Sequence, residues 1–201
     1  MIKAICFDLD GVYFTKESFK RFKNKIVDMG VSRGEVDYYL HEEPMRKFKR
    51  GEVEETVFWQ DAITYWNIPI DFLSLRKWLY DSYEINQAVN DMVIQIRNNG
   101  YKACVVSNNF VTRVSVLQEK FGFLDNFDVT VFSYEVGVTK PNEAIFKELI
   151  KRANVSPEEI ILTDDYEPNL RKIRELGITA FLYKSFGRFK DDLVKLGVRI
   201  D

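Results

Sequence analysis

Cysteine, histidine and proline are scarce in this chain of 201 residues, which holds two, one and five of them respectively. Cys6 and Cys104 lie inside apolar runs rather than in a Cys-x-x-Cys pair. That placement argues against a disulfide framework or a zinc site and fits small hydrophobes in a reducing compartment. The single His41 has no second His and no Cys nearby, so a histidine metal centre is not expected. Charge of one sign is missing too: 29 Lys and Arg stand against 31 Asp and Glu, a formal charge of -2. This balance excludes the basic footprint of a nucleic-acid binder and the acidic composition of a disordered tail. No stretch approaches the roughly eighteen apolar residues of a membrane span. Met1-Ile2-Lys3-Ala4 enters an apolar segment without a cleavable signal pattern. The expectation is a cytoplasmic protein with no nucleic-acid and no membrane partner. Internal repeats, low-complexity tracts and Gly/Ser linkers are absent as well.

What is there is a recurring alternation. Short apolar runs at 2–7, 101–106, 129–132, 160–162 and 179–183 suit strands buried on both faces of a parallel sheet. Between them, Val89, Met92, Val93 and Ile96, then Ile145, Phe146, Leu149 and Ile150, then Leu170, Ile173 and Leu176 follow the three-four spacing of amphipathic helices. The fold class expected is α/β, a Rossmann-like parallel sheet with right-handed crossovers. Residues 16–87 break the alternation. They read as four consecutive helices, with a capping box at Ser32 and Glu35 and all three tryptophans, Trp59, Trp66 and Trp78. A chain this long falls between one and two domains at roughly 150 residues each. The reading is an α/β core of 1–15 plus 88–201, with 16–87 as an inserted all-helical domain.

Four motifs sit at predicted strand ends. Asp8-Leu9-Asp10-Gly11-Val12 follows the first run, where ligands bind in open α/β sheets, and residues two apart on extended backbone face one side. A turn is the plain alternative. A calcium loop is excluded, because Gly11 falls at its fourth position and no glutamate occupies its twelfth. Ser107-Asn108-Asn109 precedes a helix, where a hydroxyl and an amide suit a phosphate, although Ser and Asn there most often serve as caps. Thr139-Lys140-Pro141 supplies one lysine, by default an exposed one, ahead of a proline read as starting a helix. Thr163-Asp164-Asp165, with Asn169 four residues on, can hold a hard cation or simply charge a helix N-terminus.

Taken in order, these pieces resemble the haloacid dehalogenase superfamily, and the insertion 16–87, with Gly51-Glu52-Val53-Glu54-Glu55 followed by Phe58-Trp59, looks like the helical cap domain that its sugar-phosphatase and dehalogenase-like branches set on the catalytic core. The resemblance implies Asp8 as nucleophile and Asp10 as acid and base. It implies Mg²⁺ on the Asp8 carboxylate, the Asp10 carbonyl and Asp165, with Asp164 and Asn169 in support. Ser107 and the Asn108 amide would bind the phosphoryl oxygens, with Asn109 as a further contributor, and Lys140 would neutralise their charge. Asn169 departs from the family, which often has an acid there. Dehalogenases need neither a metal nor an acid at position 10, so the implied activity is a Mg²⁺-dependent phosphatase of small phosphomonoesters, sugar phosphates among them. The alternatives are a phosphoglucomutase-type isomerase and a non-catalytic binding or regulatory member. A small phosphorylated substrate is the partner implied, and no oligomer is assigned. The basic clusters around Lys20-Arg21 and at 46–50 are read as solvated faces, since 16–87 carries 12 basic and 13 acidic residues. The cap aromatics are read as lid core.

Overall fold

Backbone amides and carbonyls leaving water must find partners, and the five apolar runs do so by pairing with one another. The computed structural model describes residues 1–200. Its strands are β1 (Ala4–Phe7), β2 (Lys102–Ser107), β3 (Val129–Phe132), β4 (Ile160–Asp164) and β5 (Thr179–Leu182), all parallel in the order β3-β2-β1-β4-β5. The helices between β1 and β2 are α1 (Glu17–Val27), α2 (Arg33–His41), α3 (Glu43–Lys49), α4 (Glu55–Trp66), α5 (Phe72–Ser82) and α6 (Gln87–Asn98). Then α7 (Val111–Phe121) precedes β3, α8 (Ser133–Val136) and α9 (Glu143–Ala153) precede β4, α10 (Glu167–Glu175) precedes β5, and α11 (Phe186–Lys195) follows it.

Side chains on the strands alternate between two dry layers. Ile5, Phe7, Ala103, Val105 and Ile161 join residues of α6, α7 and α11 on one face. Ala4, Cys6, Cys104, Val106 and Leu162 join α9 and α10 on the other. The central β1 has β2 on one side and β4 on the other, so the chain order reverses beside it, which opens a crevice beyond its carboxyl end. Cys6 and Cys104 are register partners, both buried and both free thiols.

Residues 16–87 contain no strand but five helices, not the four expected. The additional α3 is seven residues long, with Pro44 in its first turn and only Met45 and Phe48 buried, too short for an apolar stripe to show. The Ser32–Glu35 capping box is present in full. Pro141 does not open a helix. α9 starts two residues later, where the Asn142 side chain accepts from the Ala144 amide at 2.9 Å. The helical segment shares one continuous apolar cluster with the first face of the sheet. Phe48 stacks on Phe110 at 5.4 Å, and the Trp59 indole donates to the Thr112 hydroxyl at 2.6 Å. Gly51, after α3, has φ +70 and lies so near the chain of α8 that a Cβ there would come 2.5 Å from the Tyr134 carbonyl oxygen.

Candidate active site

The four motifs converge beyond the carboxyl ends of β1, β2 and β4. Asp8 follows Phe7, the residue paired with Thr163, and its amide donates to the Thr163 carbonyl at 3.0 Å. Its Oδ1 accepts from the Leu9 amide at 2.8 Å and lies 3.0 Å from the Lys140 ammonium. Lys140 is only 4% exposed, so the default of a surface lysine does not hold. Its Nζ also donates to Asp164 Oδ2 at 2.6 Å and to the Val106 carbonyl at 3.1 Å. Three partners thus fix one ammonium between two carboxylates. Burial works against the charge on Lys140, and Asp8 and Asp164 more than offset it, holding its pKa above the ordinary lysine value. Burial pushes the Asp8 carboxyl up to about 7, Lys140 pulling it down while Asp164 and Asp10 push it further up.

Neither Ser107 nor Asn108 caps α7. Ser107 ends β2, the N-cap is Phe110 without a side-chain cap, and the ordinary cap reading falls. The Asn108 amide group clamps the Lys140 peptide, donating to its carbonyl at 3.1 Å and accepting from its N–H at 2.6 Å. Asn109 is fully buried. Its Oδ1 accepts from the Phe110 amide and from Arg113, and its backbone N–H donates to the Ser133 hydroxyl.

Asp164 and Asp165 diverge. Asp164 is wholly buried, and its oxygens accept from Lys140, from the Tyr166 amide at 2.9 Å and from the Asn169 side chain at 2.9 and 3.1 Å. Asn169 therefore orients Asp164. Asp165 lies against Gly11 and Lys16, whose ammonium is 3.3 Å away. At Gly11, with φ +76, a Cβ would collide with the Asp165 carboxylate. Partial burial raises the pKa of Asp165, with Lys16 opposing. One oxygen each from Asp8, Asp164 and Asp165 lie within 4.8 Å of one another, an all-carboxylate set of the kind a hard cation prefers.

Sequence reasoning overlooked three basic or phenolic groups here. Arg113 on α7 is 1% exposed and pairs with Asp10 Oδ2 at 2.6 Å. Tyr83 is buried and donates to Asp10 Oδ1 at 3.2 Å. Lys49 is half-buried rather than solvated, unlike Arg46 and Lys47 of the same run. Burial lowers its pKa to about 8, with Arg113 adding repulsion and Asp10 and Asp8 opposing, which places its ammonium within electrostatic reach of the acids. The signal available for Arg113 was its position in the stripe Phe110, Val114, Leu117 and Phe121, a charge where the pattern calls for an apolar residue.

The family model for haloacid dehalogenase-like hydrolase matches residues 2–177. The glyceraldehyde 3-phosphate phosphatase of Methanothermobacter thermautotrophicus is 24% identical over 206 residues, which cover 92% of this chain and 87% of that protein. The bifunctional epoxide hydrolase 2 of Mus musculus is 23% identical over 205 residues, 90% of this chain but 36% of its own length. The chain thus spans little more than a third of that relative. A predicted HAD-like family hydrolase from Porphyromonas gingivalis superposes with a TM-score of 0.80 at 23% identity, covering 100% of both chains. A HAD family enzyme from Bacteroides thetaiotaomicron, in a magnesium complex, gives 0.79 at 22% identity, over 91% of this chain and 93% of its own. At these identities the structural likeness is one of fold.

Proposed function

Because the chain belongs to the haloacid dehalogenase-like hydrolase family, we propose that it is a Mg²⁺-dependent phosphatase of small phosphomonoesters, sugar phosphates among them, acting through an aspartyl-phosphate on Asp8. The observation that carries this reading is the buried Lys140 ammonium, 3.0 Å from Asp8 and 2.6 Å from Asp164, beside a third carboxylate. A carboxylate nearing a phosphate dianion is repelled by about 4 kcal/mol per charge pair at roughly 4 Å and an effective dielectric near 20. Lys140 opposes that repulsion where the new bond forms. Residues 16–87 would act as a helical cap over the core of 1–15 plus 88–201, excluding water from the reaction. The free, register-paired Cys6 and Cys104 suit a reducing, cytoplasmic setting.

In the first step an Asp8 oxygen bonds to phosphorus, the ester bond to the leaving oxygen breaks, and Asp10 gives that oxygen its proton. In the second, Asp10 takes a proton from water as the water oxygen bonds to phosphorus and the Asp8–phosphorus bond breaks, releasing inorganic phosphate. The Ser107 hydroxyl and the Asn108 backbone N–H would hold the phosphoryl oxygens. The donor set fits Mg²⁺: Asp8 and Asp165 would hold it together with the Asp10 carbonyl, and Asp164 and Asn169 support the set by fixing Lys140. When bound, the ion supplies neutralisation of the phosphoryl charge.

The test is phosphate release across a panel of phosphate esters, with and without Mg²⁺, for the parent and Asp8→Asn. Release that needs Mg²⁺ and vanishes in Asp8→Asn is expected. Activity surviving in Asp8→Asn refutes the nucleophile, and conversion of glucose 1-phosphate into glucose 6-phosphate without phosphate release would favour the isomerase instead.

A further inference from the structure

Arg113 is placed at a cost. It is the third residue of α7, where the helix dipole disfavours positive charge, and it is 1% exposed, so it has also lost its hydration. Rings surround its guanidinium: Phe110 at 4.6 Å, Phe19 at 5.1 Å and Tyr83 at 5.9 Å. Its one carboxylate partner among the described residues is Asp10. The same guanidinium donates through Nε to Asn109 Oδ1 at 2.6 Å and through NH1 to the Tyr83 hydroxyl at 2.9 Å. Tyr83 in turn donates to the other Asp10 oxygen at 3.2 Å.

We propose that Arg113 and Tyr83 are positioning residues that jointly orient the Asp10 carboxyl group toward the leaving oxygen. An aspartate side chain has two torsions, and one hydrogen bond leaves the carboxyl free to swing. Here both oxygens are engaged, one by each partner, and the partners are bonded to each other, so the plane of the carboxyl is fixed. Each oxygen keeps a second lone-pair direction, and the Asp10 side chain remains 38% exposed. The planar fork of arginine ties this carboxyl to Asn109 on the loop after β2, the loop assigned to the phosphoryl group. The register between acid and phosphoryl group is therefore set through one planar guanidinium, bonded to Asp10 and to Asn109 at once. This rests on the reading of Asp10 as acid and base.

A general acid matters most for poor leaving groups. The test is kcat/KM, which reports steps through leaving-group departure, across a series from alkyl phosphates through 4-nitrophenyl phosphate to acetyl phosphate, with Mg²⁺ present. The variants are Asp10→Asn, Arg113→Met, Arg113→Lys and Tyr83→Phe. Positioned general acids contribute on the order of 10²- to 10⁴-fold. Arg113→Met is expected to lose roughly 10²-fold on alkyl phosphates and less than about 3-fold on acetyl phosphate. Tyr83→Phe should show the same slope at smaller amplitude, and Arg113→Lys should recover part of the loss. A variant that only loosened the fold would lose activity evenly along the series. Even losses, or none, in Arg113→Met and Tyr83→Phe overturn the proposal while Asp10→Asn keeps its leaving-group dependence. Should Arg113→Met lack a cooperative melt, Tyr83→Phe and Arg113→Lys decide by the same criterion. If Asp10→Asn itself loses activity evenly, the reading of Asp10 falls and takes the proposal with it.

Discussion

Replacing Lys140 with methionine removes the cation that separates two buried carboxylates while nearly preserving side-chain volume. Its ammonium lies 3.0 Å from Asp8 and 2.6 Å from Asp164, and its side chain is 1% exposed, with Asp164 at 0% and Asp8 at 12%. At an effective dielectric near 20 each attraction is worth roughly 6 kcal/mol before desolvation is counted. Removing one partner of a buried ion pair typically costs about 3–5 kcal/mol, because the charge left behind is uncompensated. That is a large part of the roughly 5–15 kcal/mol that holds a domain folded. The loss must also depend on pH. Asp8 already binds its proton more tightly folded, at about 7, than unfolded, near 4. Without Lys140 the folded Asp8 carboxyl holds its proton more tightly still, because the one attraction that lowers its pKa is gone. The folded state then binds more protons than the unfolded one over a wider range, and stability falls as pH rises through it, by up to about 1.4 kcal/mol per pH unit per proton. Urea unfolding of the parent and Lys140→Met at pH 5.5 and pH 8 should show a gap that widens at the higher pH. The double variant Lys140→Met/Asp164→Asn, which keeps the shape of Asp164 without its charge, should recover part of the loss. A gap equal at both pH values, with no recovery in the double variant, would refute the account of Lys140 as the spacer between two charges.

Mg²⁺ should raise the melting temperature of the parent, since a ligand that binds only the folded state stabilises it by mass action, and the rise should shrink in Asp165→Asn. An equal rise in both removes Asp165 from the ligand set. Lys49 is lowered to about 8 against an unfolded value near 10.4, so the folded state binds fewer protons between those values and stability rises with pH across that window. Lys49→Met is therefore expected to be more stable than the parent by roughly 1–3 kcal/mol at pH 7, with the advantage shrinking by pH 10; a variant less stable at pH 7 would show that the burial of Lys49 carries no penalty. Gly51→Ala combines φ +70 with a Cβ 2.5 Å from the Tyr134 carbonyl oxygen. It should lower urea stability by roughly 1–3 kcal/mol, and an unchanged midpoint would mean that the chain after α3 shifts without cost.

The strands were legible because a strand buried on both faces reads as an unbroken apolar run, and the runs at 2–7 and 160–162 became β1 and β4 with little change. Placing motifs at their ends was enough to bring Asp8, Lys140, Asp164 and Asp165 together, since parallel strands all present carboxyl ends on one side. What stayed hidden depends on contacts distant in sequence. Tyr83 sits in an aromatic-rich stretch and means nothing locally; its value lies in reaching Asp10, 73 residues earlier. Lys49 was absorbed into a basic run because neighbouring Arg46 and Lys47 do face solvent. Arg113 was different, because a charge in the stripe of Phe110, Val114 and Leu117 was visible and should have marked a buried partner. Asn169, read as a supporting residue that departs from the family's acid, donates to both oxygens of Asp164, a partner its position alone does not name.

Four acids at neighbouring strand ends would, if unpaired, demand a cation for each excess charge. The structure reduces that demand. Asp10 has Arg113, Asp164 has Lys140, and Asp165 has Lys16. These pairings are unequal. Arg113 and Lys140 are buried, whereas the Lys16 side chain is 64% exposed, so its pair with Asp165 is screened and weak. Lys140 is also shared, and Asp164, with both oxygens engaged and the closer approach, has the larger claim on it. Compensation is therefore incomplete at two carboxylates, Asp8 and Asp165, whose oxygens lie within 4.8 Å of each other. That edge is where the proposed cation would offset the most charge, beside the Asp164 oxygen that lies within the same 4.8 Å. The same inequality explains why two adjacent aspartates on one strand end take different tasks. The one turned into the protein holds a lysine against the proposed nucleophile, and the one turned toward Gly11 is the proposed metal ligand.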